Sequence, residues 1–440
     1  MTRPPTIAFF GNFGTQNLGN ECTLRAIIGN TRKQLPHAIV SCVCPRPRET
    51  AEAHGIPASL ISYRFAKDSA SAPSSDNAAK RLIRRLVVRV PLEVGEWIRV
   101  FRTLGGTDKL VMTGTGMLGD FGISPLGLHY EILKWSIVAK MRGCQLLFVS
   151  VGAGPIRHPL SRWIVKAALS LADYRSYRDQ FSYDYLEFIG FNTSRDHVYP
   201  DLAFSLLNFD ASATPPGSGN GAGRVVGLGL MEYYGQHRSP EEGERTYQRY
   251  IERVARFASW LLSQGHQVRL LVGDLAYDRR VKGDLLRLLD QAGPFDRAQV
   301  IDEPLTSPED LIDQLAKTDL VVATRFHNVL LALMLGRPVI ALSYHEKLRS
   351  LMAEVGVPEY SVEAEELDVA GLIERFRRLS EDETFTSSTK MKADGYRDAL
   401  DEQYARMFRE FLESPTAAVA EGYSALERRS SPGAAGGPVS

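Results

Sequence analysis

The sequence predicts two doubly wound, Rossmann-like α/β domains, followed by a C-terminal helical segment and a disordered tail. Three observations carry this expectation. At 440 residues the chain is too long for one small core. Short apolar runs alternate with amphipathic stretches along most of it, the rhythm of parallel sheets covered by helices. A Pro-, Gly- and Ser-rich seam, ASATPPGSGNGAG over 211–223, can sustain neither a helix nor a buried strand. The expected division is therefore 1–210, a linker at 211–223, 224–380, a helical segment at 381–413, and a disordered tail over 414–440.

The first strand is expected at Thr6–Phe10, followed by a Gly/Asn loop and a helix from about Glu21 to Lys33. Further strands read KLVMT from Lys109 and QLLFVSV from Gln145. The stretch KDSASAPSSDNAAK, 67–80, has the composition of a mobile loop. After the seam, RVVGLGL opens a new strand. Ser239 then caps a helix with Pro240 in its first turn, and Tyr247, Tyr250, Ile251, Val254, Phe257, Ala258 and Leu261 recur at helical spacing. QVRLLV is the next strand, Ser307-Pro308-Glu309 starts another helix, and DLVVA follows as a strand.

Bulk properties exclude several classes. Lys+Arg and Asp+Glu both number 52, so no global positive field marks a nucleic-acid binder. No apolar run is long enough to span a bilayer, and MTRPPTIAFF lacks a signal-peptide core, so a cytoplasmic location is expected. Cys22, Cys42, Cys44 and Cys144 show no zinc-site spacing and read as reduced thiols. The string KRLIRRLVVRVPLEVGEWIRVFR, 80–102, is both basic and apolar. It reads either as a surface resting peripherally on the inner face of the plasma membrane, or as a helix packed on its own domain with a solvated basic side.

The most informative stretch is DLVVATRFHNVLLALMLGRPVIALSYHEK, 319–347. Its first strand ends near Ala323, and Thr324 is expected to cap the helix that follows. Gly336 ends that helix, and Pro338 opens a strand running to about Ser343. Arg325 and His327 then lie in a strand-to-helix turn, with Tyr344, His345 and Lys347 just past the neighbouring strand. Ligands of open α/β sheets bind at such carboxyl ends, and a helix N-terminus there attracts anions. Arg325 could grip a carboxylate or phosphate through two parallel hydrogen bonds, and His327 could move protons near neutral pH. Equally, both could simply satisfy loop carbonyls.

This stretch resembles the C-terminal signature of the polysaccharide pyruvyl transferase family: x-Arg-x-His after a strand, a helix, Gly-x-Pro, a strand, then Ser-Tyr-x-x-Lys. Three earlier blocks are similar to the family in order and spacing. They are FFGNFGTQNLGNECTLRAI, LVMTGTGMLGD, and SYRDQFSYDYLEFIGF followed by VYPDLAFSL. Two positions depart from the family's pattern. Asn20 stands where the first loop usually carries Asp, and Thr115 interrupts the glycines at Gly114 and Gly116.

The resemblance implies a fold like that of the two-domain GT-B glycosyltransferases, with the donor in the cleft between the halves. The implied activity uses phosphoenolpyruvate as co-substrate, with no cofactor and no metal. The product is a pyruvate ketal on two hydroxyls of one sugar, in a polysaccharide or a lipid-linked oligosaccharide acceptor. On this reading His327 and Arg325 are catalytic. Arg325, Lys347, Tyr344, Ser343, Thr324 and Arg178 would hold the donor. Gly11, Asn12, Asn17, Gly19, Asn20, Gly114, Gly116 and Asp120 would line the acceptor side or the cleft, unless the glycines merely permit tight turns. Asp201, at a strand start, reads as a surface cap in preference to a group supporting the site residues from behind, and Asp274 and Asp278 as loop caps or neighbours of the donor. Two other readings stay open: a GT-B glycosyltransferase using a nucleotide-sugar donor, and a non-catalytic glycan- or anion-binding homologue.

Overall fold

A computed structural model of the protein describes residues 3–63, 90–119, 124–206, 223–235 and 239–412. Asp120, the loop at 67–80, the seam up to residue 222 and the tail from 413 lie outside the described residues.

Two parallel sheets form the frame. The first has seven strands in the order β3-β2-β1-β4-β5-β6-β7. They are β1 Thr6–Phe10, β2 Ile39–Cys44, β3 Ala58–Leu60, β4 Lys109–Thr113, β5 Gln145–Val151, β6 Tyr174–Tyr177 and β7 His197–Val198. The second sheet has six, in the order β10-β9-β8-β11-β12-β13. They are β8 Val225–Leu230, β9 Gln267–Val272, β10 Val300–Ile301, β11 Leu320–Ala323, β12 Val339–Ser343 and β13 Ser361–Glu363. In each sheet the order of strand addition reverses once, between β1 and β4 and between β8 and β11. These are the points where doubly wound sheets open a crevice at their strand ends.

The helices are α1 Leu18–Gln34, α2 Pro47–His54, α3 Val90–Thr103, α4 Tyr130–Met141, α5 Pro159–Ser170, α6 Gln180–Phe188, α7 Pro240–Ser263, α8 Val281–Ala292, α9 Pro308–Ala316, α10 Phe326–Met334, α11 Glu346–Glu354, α12 Val369–Glu381 and α13 Phe385–Leu412. Capping sets several starts. Ser239 accepts from the Glu242 amide at the head of α7, and Ser307 and Asp310 form a reciprocal capping box at α9. The central strands are buried on both faces, hence their unbroken Val, Leu, Ile and Phe content. All four cysteines are buried and free.

Three local expectations need correction. Helix α1 starts at Leu18 rather than near Glu21, because the Asn17 side chain accepts from the Asn20 amide and caps it. Gly19 and Asn20 are thus in the first helical turn, not in a loop. Thr324 does not cap α10. Arg325 occupies that position, with no side-chain cap bond. The expected strand after Pro200 is a 3₁₀ turn, Leu202–Ser205, capped by Asp201 through the Ala203 amide.

Helix α13 leaves the second sheet and returns to the first. Gln403, fully buried, donates to Ser176 Oγ at 2.7 Å and accepts from Ser150 Oγ at 3.0 Å. Tyr404 meets Ser205 at 3.1 Å, and the rings of Phe204 and Tyr396 lie 5.0 Å apart. Ser150 adopts φ 47°, a costly left-handed geometry held by these bonds and by its amide's donation to Ser176. One apolar core consequently runs from a face of the first sheet through α1 and α13 into the second domain. A separate core fills the other face of the first sheet.

Candidate active site

The carboxyl ends of the two sheets face each other, and backbone bonds tie the halves together there. The Leu18 amide donates to the Gly273 carbonyl at 3.0 Å, and the Leu275 amide donates to the Gln16 carbonyl at 2.9 Å. This two-residue antiparallel bridge pairs Asn17 with Asp274. The Asn17 amide also donates to the Asp274 carboxylate at 2.8 Å. Gln16 takes φ 65° to make the turn. Asn17 therefore serves as cap and interdomain tie, and its side chain is occupied. The Asn20 side chain donates back to the Asn12 carbonyl at 3.0 Å, closing the first loop on itself.

The N-termini of α1 and α10 converge across this junction. A Cβ on Gly19 would lie 1.9 Å from Nδ1 of His327, so glycine is what lets the imidazole seat against the first turn of α1. Two helix N-termini, one from each half, then direct positive potential at one region, although the first-turn amides of α1 at Leu18 and Asn20 are already bonded within the protein. The other ring nitrogen, Nε2, is buried without a hydrogen-bond partner and faces an Asp201 oxygen at 3.9 Å. Asp201 is 2% exposed, and its second oxygen is 3.5 Å from Arg178. Burial pushes the Asp201 carboxyl up. The facing His327, Arg178 and the Ala203 amide outweigh burial and hold it below the ordinary aspartate value.

Arg178, from the tip of β6, and Lys347, from α11, bracket one ring. The guanidinium is 5.2 Å and the ammonium 5.6 Å from the Phe326 ring centre. Lys347 also lies 5.0 Å from the Tyr344 ring, and no carboxylate among the described residues forms an ion pair with it. The Tyr344 phenol registers this field. Burial raises its pKa, yet Lys347, Arg325 and Arg178 bring it below the ordinary tyrosine value. His345 is lowered to about 4, by burial first and then by Lys347 and Arg178, so it stays neutral while its Nδ1 caps α11. A narrow crevice opens here, lined by Arg178, Asp201, Phe204, Phe326, Lys347 and Tyr396 among others.

Arg325 is already engaged. It forms a two-pronged ion pair with Asp278, with Nε 2.8 Å and a terminal nitrogen 2.5 Å from the carboxylate. Burial lowers the Arg325 pKa and Asp278 raises it, with a net rise, so the guanidinium remains charged. Asp278 also accepts from the Glu232 amide. Arg325 thus adds positive potential at Tyr344 while its fork is directed at a protein carboxylate.

Other predicted residues fall elsewhere. Thr324 and Ser343 are fully buried and spent on internal bonds, to Tyr250 at 2.7 Å and to Ser361 at 2.6 Å. Gly11 and Gly114 are packing glycines. A Cβ on Gly11 would meet Phe13 and Thr113, and one on Gly114 would meet the Ser150 carbonyl. Gly116 is exposed, 3.6 Å from Arg178 by the same construction, and does border the cleft. Asn12 is exposed. The sequence reading passed over Gly152, which a side chain would bring to 2.7 Å from the Arg178 guanidinium. It also passed over Phe326, read as a spacer between Arg325 and His327.

A profile of the polysaccharide pyruvyl transferase family matches residues 17–346. The amylovoran biosynthesis protein AmsJ of Erwinia amylovora is 20% identical over 380 residues, covering 82% of this chain and 88% of that one. Among solved structures, the UDP-GlcNAc 2-epimerase of Neisseria meningitidis bound to UDP-GlcNAc superposes with a TM-score of 0.56 at 11% identity, over 92% of this chain and 100% of that one. Anabaena HepE in complex with UDP and glucose gives 0.54 at 16% identity, over 93% and 99%. These structures share the GT-B-like pairing of two Rossmann-like domains. Because the profile spans most of the chain, from the loop before α1 to the start of α11, the chain belongs to the polysaccharide pyruvyl transferase family.

Proposed function

We propose that the protein transfers the enolpyruvyl group of phosphoenolpyruvate to two hydroxyls of one sugar, forming a cyclic pyruvate ketal in exopolysaccharide or cell-wall glycan synthesis. The acceptor is a glycan or a lipid-linked oligosaccharide, and the reaction belongs in the cytoplasm, where phosphoenolpyruvate is made. The observation that carries this reading is the meeting of Arg178 and Lys347, one from each half, on the Phe326 ring beside the His327–Asp201 pair. Phosphoenolpyruvate carries a carboxylate and a phosphate on a three-carbon enol. It needs clustered cations from both walls of a narrow site rather than a long nucleotide groove.

The chemistry assigns each group a task. A proton is added to the methylene carbon, and the neighbouring carbon becomes electrophilic. A sugar hydroxyl attacks that carbon and gives up its proton. Phosphate departs by C–O cleavage, and the second hydroxyl closes the ring, releasing a further proton. His327 is placed to carry these protons, a contribution of roughly 10²–10⁴-fold. Asp201 acts through His327 as a positioning residue, facing its Nε2 and fixing the imidazole. Lys347 and Arg178 neutralise the departing phosphate. Arg325, locked on Asp278, supplies fixed positive potential.

Acceptor-dependent phosphate release from phosphoenolpyruvate tests the reading. Thermal stabilisation by phosphoenolpyruvate and not by nucleotide sugars is expected. Stabilisation by nucleotide sugars alone, with no phosphate release, would reverse it in favour of a glycosyltransferase.

A further inference from the structure

Helix α3 carries apolar side chains on both sides, Val100 and Trp97 toward the core of the first domain and a ridge toward the outside. Its acidic side chains point inward. Glu93 accepts from Tyr130 at 2.8 Å and Lys134 at 3.1 Å, and Glu96 pairs with Arg99 at 2.9 Å. Arg99 in turn is tied down by the Leu60 and Ile61 carbonyls. Only Val100 is a fully buried apolar anchor of the helix. The outward ridge is apolar: Val94 is 53%, Ile98 47% and Phe101 37% exposed, at the spacing of one helical face, with Leu92 at 64% beside them. At the C-terminal end of the ridge the outward charges are positive. Arg102 and Arg142 are exposed, and the Arg142 guanidinium sits 4.6 Å over the Phe101 ring. No acidic side chain of α3 faces outward with them.

Leaving such a ridge in water forfeits burial that a rearranged helix could have gained. An apolar stripe flanked by cations, with its carboxylates withdrawn, complements one surface in particular: acyl chains beneath anionic headgroups. In sequence, KRLIRRLVVR leads directly into the helix and carries five cations and no anion. A protein partner would equally accept the apolar ridge but would not by itself call for this one-sided charge. We propose that the exposed face of α3 rests on an anionic lipid surface, holding the protein at the membrane. The assignment is independent of which donor the cleft takes.

The four native cysteines are buried, so an Ile98→Cys variant of the full-length chain can be labelled selectively with a polarity-sensitive NBD group. Vesicles of phosphatidylcholine containing phosphatidylglycerol should shift its emission to the blue. Phosphatidylcholine vesicles alone should not, and high salt should weaken the shift. A blue-shifted signal without vesicles that grows with protein concentration would mean that a second copy covers the ridge, overturning the proposal. One that is blue-shifted at every concentration would mean that the chain covers itself, overturning it equally. An unlabelled Ile98→Asp variant should lose about tenfold or more in co-sedimentation with anionic vesicles. Its phosphate release with a soluble acceptor should stay within about twofold of the parent, since α3 contributes no side chain to the crevice. Undiminished co-sedimentation would contradict the proposal.

Discussion

Arg178 and Lys347 approach the Phe326 ring from different domains, so each is positioned by its own sheet. Removing either cation should raise the KM for phosphoenolpyruvate and lower turnover, because the donor loses one of its two charged partners. His327→Ala should instead cut turnover by roughly 10²–10⁴-fold while changing KM little, a split that steady-state kinetics resolves. Arg325 behaves differently, since its fork belongs to Asp278. Arg325→Ala leaves a buried carboxylate unpaired and should cost about 3–5 kcal/mol in denaturant unfolding. Arg325→Leu combined with Asp278→Asn should recover most of that stability without recovering activity. Recovery of activity in the double variant would remove Arg325 from the reaction. Asp201 sets a pH limit on stability. Its folded-state carboxyl lies below the ordinary value, so its contribution is present above a pH of about 3.9 and fades as the pH falls through the folded-state value. Asp201→Asn should abolish that share of the acid dependence and also shift the pH–rate profile.

Among the elements, α1 and α13 decide most. Gly19→Ala adds a methyl where His327 sits, yet a helical alanine is intrinsically favoured over glycine by about 1 kcal/mol. The expected outcome is a folded protein of near-parental Tm with activity lost in proportion to the displaced imidazole. Unchanged turnover would mean that the ring does not work from its observed position. The alternation of runs made the strands from Thr6, Lys109, Gln145 and Gln267 readable in sequence, because each is buried on both faces and bounded by turn residues. The Ser239 and Ser307 caps were readable for the same local reason. The Asn17 cap is equally local, an Asn side chain accepting from the amide three residues on, and was passed over; the Arg325 position was not readable, since its side chain is drawn to the distant Asp278 carboxylate. The 3₁₀ turn after Asp201 escaped because PDLAF has strand-like composition, while the Asp201 cap and the buried contacts of Ser205 and Phe204 with α13 curl it.

Across the whole molecule, the Asn17–Asp274 bridge and helix α13 tie the two halves together. Truncation before Phe385 should therefore destabilise the first domain as well as the second. It would expose the faces that receive Gln403, Tyr404 and Phe408, and loss of both domains' cooperative unfolding in calorimetry would report it. Sequence reading gathered Arg325, His327 and Lys347 at neighbouring strand tips and brought Arg178 near them. It missed what orients them, since Asp201, Asp278, Phe326 and Gly152 act through distances that no spacing encodes.

In the proposed reaction, cations from two domains and a carboxylate-backed imidazole turn a small enol phosphate into a ketal. The most direct measurement is mass spectrometry of a candidate sugar acceptor incubated with the protein and phosphoenolpyruvate, alongside released phosphate. A gain of one pyruvate less one water on the sugar is expected, equimolar with phosphate and abolished in His327→Ala. Phosphate release with no mass gain, or a gain that survives His327→Ala undiminished, would contradict it.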